Sequence, residues 1–168
     1  SQKAFDTEVL RVLDACDPTR PVFVESESRR IGSLQLGDPL LFAMRAAPCL
    51  RLDTPLALRV AHLMEEYAHF LRDPEALTAR LDRLLALHGR KTLARWSDAA
   101  LSGDFPTLVH ELLTLHYDPS YRRSMEGNFP ASAHARTFVP RAIDTAAWNA
   151  LAQEIVAAFD ATAPEPVR

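Results

Sequence analysis

The chain has 168 residues, 48% of them apolar and 24% charged, with a formal net charge of −3 at pH 7, the composition of one ordinary globular domain. No apolar stretch approaches the ~20 residues of a membrane helix, and so small a net charge excludes holding nucleic acid by bulk attraction, so such a role needs a local patch. Cys16 and Cys49 are too few and too separated for a disulfide framework or a zinc cluster, and the opening SQKAFDTEVL lacks a secretory pattern, which together point to a reducing, cytoplasmic setting.

Between Lys3 and Cys16, Phe5, Val9, Leu10, Val12 and Leu13 recur at helical spacing and predict an amphipathic helix, stopped by Asp17, Pro18, Thr19 and Pro21. The β-branched and aromatic run from Val22 predicts a strand buried on both faces, ending abruptly in charged residues. Asp38 with Pro39 is an N-cap followed by a first helical residue, opening a helix to about Ala46 that Pro48 closes. Cys49 to Leu52 is a second strand, and Asp53, Thr54 and Pro55 open a helix that turns Leu56, Val60, Leu63, Met64, Tyr67 and Phe70 toward a core. This alternation is that of a parallel sheet with helical crossovers.

From Asp73 the pattern becomes all-helical. One helix runs through Leu77, Leu81, Leu84, Leu85 and Leu87 to Gly89, another from Lys91 toward Leu101, a third from Pro106 to His116, and Asp118 with Pro119 opens one more turn. Residues 73–125 therefore read as a helical insertion. Glu126 to Ala135 is a loop by composition, Arg136 to Val139 a third strand, and Asp144 with Thr145 caps a last helix carrying Trp148, Leu151, Ile155, Val156 and Phe159; residues 161–168 form a frayed Pro-rich tail. The expected fold is α/β: one domain over 1–168, helix-rich, with a short parallel sheet. So thin a sheet is expected to be completed by a strand upstream of Ser1.

The chemistry concentrates at two places. Glu25 and Glu27 lie two apart, on one side of an extended segment, where a carboxylate pair could hold a magnesium ion beside a diphosphate or else pair with Arg29 and Arg30. Arg29 and Arg30 offer bidentate forks to phosphate oxygens, and Ser28 offers a hydroxyl; Arg59 faces either the cleft or a carboxylate. On the helical insertion, Arg90, Lys91 and Arg95 with Trp96 join Tyr117, Tyr121, Arg122 and Arg123 as cations beside aromatics, the equipment for holding an RNA backbone and stacking an unpaired base. The bland alternative is a solvated helix face with core aromatics. His110 and His116 are six apart on one helix and do not converge on a metal. Gly89, Arg90, Lys91, Thr92 imitates a phosphate-binding loop but lacks the GK pair, the earlier glycine and a preceding strand. No catalytic residue and no metal site is assigned.

Three blocks, PVFVESESRRIG, MRAAPCLRLDTPLALRV and HYDPSYRRS, in this order and at these separations resemble the carboxyl-terminal portion of bacterial tRNA 2-selenouridine synthase. The likeness runs from Ser1 to about Phe159. It implies a P-loop NTPase-like three-layer fold, of which this chain is a part, preceded by a rhodanese-like domain. It implies an enzyme that replaces sulfur by selenium in wobble 2-thiouridine through a geranylated intermediate, with geranyl diphosphate and selenophosphate as co-substrates and no intrinsic cofactor. Neither the rhodanese cysteine nor GxxxxGK[ST] is present here. On that resemblance Glu25, Glu27, Ser28, Arg29, Arg30 and Arg59 are expected to bind diphosphate and the second cluster tRNA, in a chain inactive alone and partnered by tRNA and by the P-loop and rhodanese portions. A non-catalytic tRNA-docking or interdomain module, or a degenerate nucleotide kinase-like protein, are the alternatives.

Overall fold

The computed structural model describes residues 1–26, 28–68 and 72–160. In chain order the elements are α1 (Gln2–Asp14), β1 (Arg30–Ile31), β2 (Leu34–Gln35), α2 (Asp38–Ala46), β3 (Leu50–Leu52), α3 (Leu56–Glu66), α4 (Pro74–Leu81), a 3-10 turn (Asp82–Leu84) and α5 (Leu85–Ser102). They continue with α6 (Phe105–Glu111), a π segment (Leu112–Tyr117), α7 (Asp118–Asn128), a second 3-10 turn (Pro130–His134), β4 (Arg136–Phe138) and α8 (Thr145–Asp160). The protein is thus a helix-rich α/β chain with, among the described residues, one short parallel pair. It divides into two compact units, Ser1–Asp53 with the segment from Tyr121 onward, and Thr54–Ser120.

In the first unit β3 and β4 run parallel, with Leu50 opposite Arg136, Arg51 opposite Thr137 and Leu52 opposite Phe138. The Asp53 N–H extends the ladder to the Phe138 carbonyl at 2.9 Å, and the Arg51 guanidinium donates to the Ser132 carbonyl at 3.1 Å. Leu41, Phe129, Phe138 and Leu151 are buried here. Asp38 stands inside the first turn of α2, with Gly37 as its cap. Asp144 caps α8 as expected, its carboxylate accepting from the Ala147 N–H at 2.8 Å.

The strand expected from Val22 does not form. Residues 22–26 carry neither helix nor strand, Val22, Phe23 and Val24 are about half exposed, and Phe23 instead meets Phe159 edge to face, with ring centroids 5.6 Å apart. β propensity is realised only where neighbouring strands offer a ladder and a covered face, and β3 and β4 offer neither to this segment. The chain instead forms an antiparallel hairpin just downstream, β1 with β2, turning at Gly32 and Ser33. Gly32 has φ 61°, the left-handed geometry that the first position of a two-residue hairpin turn demands. Likewise 126–135 is not a plain loop: α7 runs on to Asn128, and Pro130–His134 is a 3-10 turn.

The second unit is all helical. Leu81, Leu93, Trp96, Ala100 and Leu108 form its buried core, ringed by Leu77, Leu84, Phe105 and Leu112. α3 packs on α6, so this unit spans Thr54–Ser120 where the sequence suggested an insertion over 73–125. Asp73 caps α4 through the Ala76 N–H at 3.0 Å. Tyr67, expected in the core, is 46% exposed: it follows the last turn of α3 and caps it through its backbone N–H. Phe70, His69, Glu27 and the tail from 161 lie outside the described residues.

α5 contains a break at Gly89, whose φ of 75° and ψ of 167° are non-helical and open almost only to glycine. A Cβ there would meet nothing within 4 Å, so the cost of a side chain is backbone strain alone. Gly89→Ala is expected to destabilise the protein by about 1–3 kcal/mol, read as a lower urea midpoint at unchanged slope.

Candidate functional site

In the first unit the hairpin, the start of α1 and the start of α2 enclose a shallow concavity of about 420 Å³, lined among others by Gln2, Arg29, Ser33, Gln35, Gly37 and Asp38. Gln2 clasps the hairpin, its amide donating to the Gln35 carbonyl at 2.8 Å and accepting from the Gln35 N–H at 3.0 Å. The Leu36 N–H donates to the Arg29 carbonyl at 2.9 Å, which fixes the backbone from which Arg29 projects. The Arg29 guanidinium pairs with Asp38 at 2.9 Å, both side chains about half exposed. A guanidinium, a hydroxyl and the amides of a helix start favour an anion; Asp38 and Asp6 oppose it.

The other residues expected to hold diphosphate are placed differently. Ser28 accepts from the Arg30 N–H at 3.0 Å, and Arg30 donates its Nε–H to the Gly32 carbonyl at 2.8 Å, so both are engaged with their own turn. Glu25 is exposed and lies outside any strand, and Glu27 lies outside the described residues. Arg59 belongs to the second unit and forks onto Asp118 at 2.6 and 3.0 Å, the carboxylate-satisfying alternative.

In the second unit Trp96 is 1% exposed. Its indole N–H donates to Glu111 Oε2 at 2.8 Å, and Arg95 reaches the same oxygen through Nε at 2.9 Å and Nη2 at 2.7 Å. Trp96 is therefore a core residue with a satisfied N–H, and its ring has no open face for a base. Arg90 and Lys91 are exposed just beyond the Gly89 break. Tyr117 and Tyr121 are 58% and 48% exposed, and Arg122 and Arg123 are exposed on α7; Tyr117 belongs to the second unit and the other three to the first.

Sequence reasoning missed a histidine pair. His88 Nε2 and His116 Nδ1 are 3.0 Å apart, with the His88 ring 4.9 Å from Trp96 and the His116 ring 4.9 Å from Tyr117. Nothing in the spacing of residues so far apart announces such a meeting. Among the described residues no three metal-ligating groups converge, and no helix is long and apolar enough to cross a membrane.

The fold and these groups define a helix-rich α/β protein with a shallow polar concavity at Arg29 and with exposed cations and tyrosines. The family model described as the tRNA 2-selenouridine synthase AAA domain matches residues 1–80. That stretch, which holds the hairpin, the concavity and two of the three blocks quoted above, is a tRNA 2-selenouridine synthase-like portion; HYDPSYRRS lies beyond the match. No curated protein and no solved structure gives a match.

The Arg95 guanidinium, and secondarily the Trp96 N–H, hold the Glu111 carboxyl below its ordinary 4.5 against the opposing effect of burial. A depressed folded value means stabilisation that is complete above 4.5 and lost as pH falls through the folded value. The stability gap between wild type and Glu111→Gln is expected to be constant from pH 7 to about 4.5 and to shrink below it, measured by urea unfolding across pH.

Proposed function

We propose that this chain is the substrate-holding part of a tRNA-modifying enzyme of the 2-selenouridine synthase kind, contributing diphosphate and tRNA contacts rather than bond-making groups. The observation that carries this reading is the match over residues 1–80, within which Arg29 faces a concavity at the start of a helix. In this proposal the α/β portion is a segment of a P-loop-like domain. The reaction served is 2-thiouridine to 2-selenouridine at the wobble position, through a geranylated intermediate, with geranyl diphosphate and selenophosphate as cytoplasmic co-substrates. Magnesium would accompany the diphosphate. Arg29 and Ser33 would hold the diphosphate; Arg90, Lys91, Arg122 and Arg123 would meet RNA phosphates, with Tyr117 and Tyr121 as stacking surfaces.

A second reading, a docking module without a ligand pocket, is favoured by the carboxylates on Arg29 and Arg59, which already occupy the forks a diphosphate would use.

The two separate experimentally in the intact enzyme. Arg122→Glu with Arg123→Glu is expected to weaken tRNA binding and to flatten its salt dependence by about 0.7–0.9 for each RNA phosphate that is no longer neutralised. Arg29→Glu is expected to weaken geranyl diphosphate binding at least tenfold, the effect of losing a charge-assisted fork, and to leave tRNA affinity in place. Unchanged diphosphate binding in Arg29→Glu would select the docking module; unchanged tRNA binding in the double variant would remove α7 from the interface.

A further inference from the structure

We propose that His88 and His116 form a proton-operated latch that sets the chain break at Gly89. The turn from Leu85 to His88 has little else to hold it: Leu85 and Leu87 are 43% and 70% exposed, Ala86 is exposed, and His88 alone of the four is partly buried. His88 fixes that turn by lying against Trp96, itself anchored in the core, and by its 3.0 Å contact with His116 on the π segment. The next residue is the glycine at which the helix breaks, and Arg90 and Lys91 follow.

A ring-to-ring hydrogen bond needs one N–H and one lone pair. With no added proton, or with one, a neutral ring still offers a facing nitrogen that can accept; with two, both facing nitrogens carry hydrogens, and two like charges face each other. The second proton therefore opens the latch. Burial of His116, and after it the charge of His88, push the His116 value below its ordinary 6.5, which places opening on the acid side of that value and keeps the latch shut at neutrality.

Charges on the surrounding elements do not cancel this. Glu111 is held by Arg95 and Trp96, Asp118 by Arg59, and Glu66 of α3 lies 3.9 Å from His62. His110 is exposed, as are Glu75 and Arg80 on α4 and Asp82 and Arg83 on the following turn. The facing groups on the two rings themselves are the neutral Trp96 and Tyr117.

The test is amide hydrogen exchange on the full chain at pH 7.5 and 5.0, corrected for intrinsic rates. Protection over residues 85–91 is expected to fall at least about fivefold at the lower pH, the effect of breaking one hydrogen bond, while residues 93–100 keep theirs. In His116→Leu, protection over 85–91 is expected to be low at both pH values. Should that variant not fold, the histidine ring resonances of the wild type decide, with two coupled titration steps expected and the second below 6.5. Equal protection at both pH values, a loss that spreads equally to 93–100, or two independent single-site titrations would each overturn the latch.

Discussion

The first unit depends on three residue pairs. β3 and β4 are joined in parallel over Leu50–Leu52 and Arg136–Phe138, and a parallel pair cannot be closed by a tight turn. The chain must leave after Asp53 and come back before Arg136, so the ladder is what makes residues 1–53 and those after 121 one body. Such a short pairing carries little alone. It is reinforced by Arg51 on the Ser132 carbonyl and by the Arg136 guanidinium 5.1 Å from the Phe138 ring centroid. The two strands leave Leu52 and Val139 about half exposed, whereas parallel sheets are usually covered on both faces.

The second unit rests on one carboxylate. Glu111 takes the Trp96 N–H and two Arg95 nitrogens, which lets the largest side chain of the core be fully buried without an orphan donor. α5 is thereby tied to the last residue of α6, immediately before the π segment begins. Arg95 and Trp96 thus belong to the architecture of the unit, while Arg90 and Lys91, just beyond the break at Gly89, are exposed.

Local chemistry made much of this legible. Asp73 with Pro74, Asp144 with Thr145 and Gly89 each mark a boundary for a reason contained in one or two residues, and each boundary falls where that reason puts it, while α2 begins one residue before Pro39. The hairpin was legible too: Gly32 and Ser33 between Ile31 and Leu34 are a two-residue turn signal, masked by the stronger apolar run upstream. That run, Val22 to Val24, shows the limit, since a strand is a relation between segments and its own residues do not supply the neighbour. The same holds for Tyr67 and Trp96, whose exposure and burial depend on which helix face another helix covers, and for His88 with His116, which only the folded chain brings together.

The ion pairs sort the cations expected at a ligand or RNA surface. Arg29 and Asp38 have side chains 47% and 61% exposed, and such a pair contributes about 0–1 kcal/mol in water. A polyphosphate arriving at the concavity can therefore replace Asp38 as the partner of Arg29 at little cost to the fold. Arg59 and Asp118 are about two-thirds covered and doubly bonded, and withdrawing Arg95 would leave Glu111 with the Trp96 N–H alone. A ligand that recruited either would have to replace a bond the helical unit relies on. What a paired cation holds in place thus separates groups able to answer a phosphate from groups that hold helices together: Arg29 sits in an exposed pair that the fold can spare, whereas Arg59 in its doubly bonded pair, and Arg95, though its side chain is 50% exposed, as the chief partner of Glu111, hold helices.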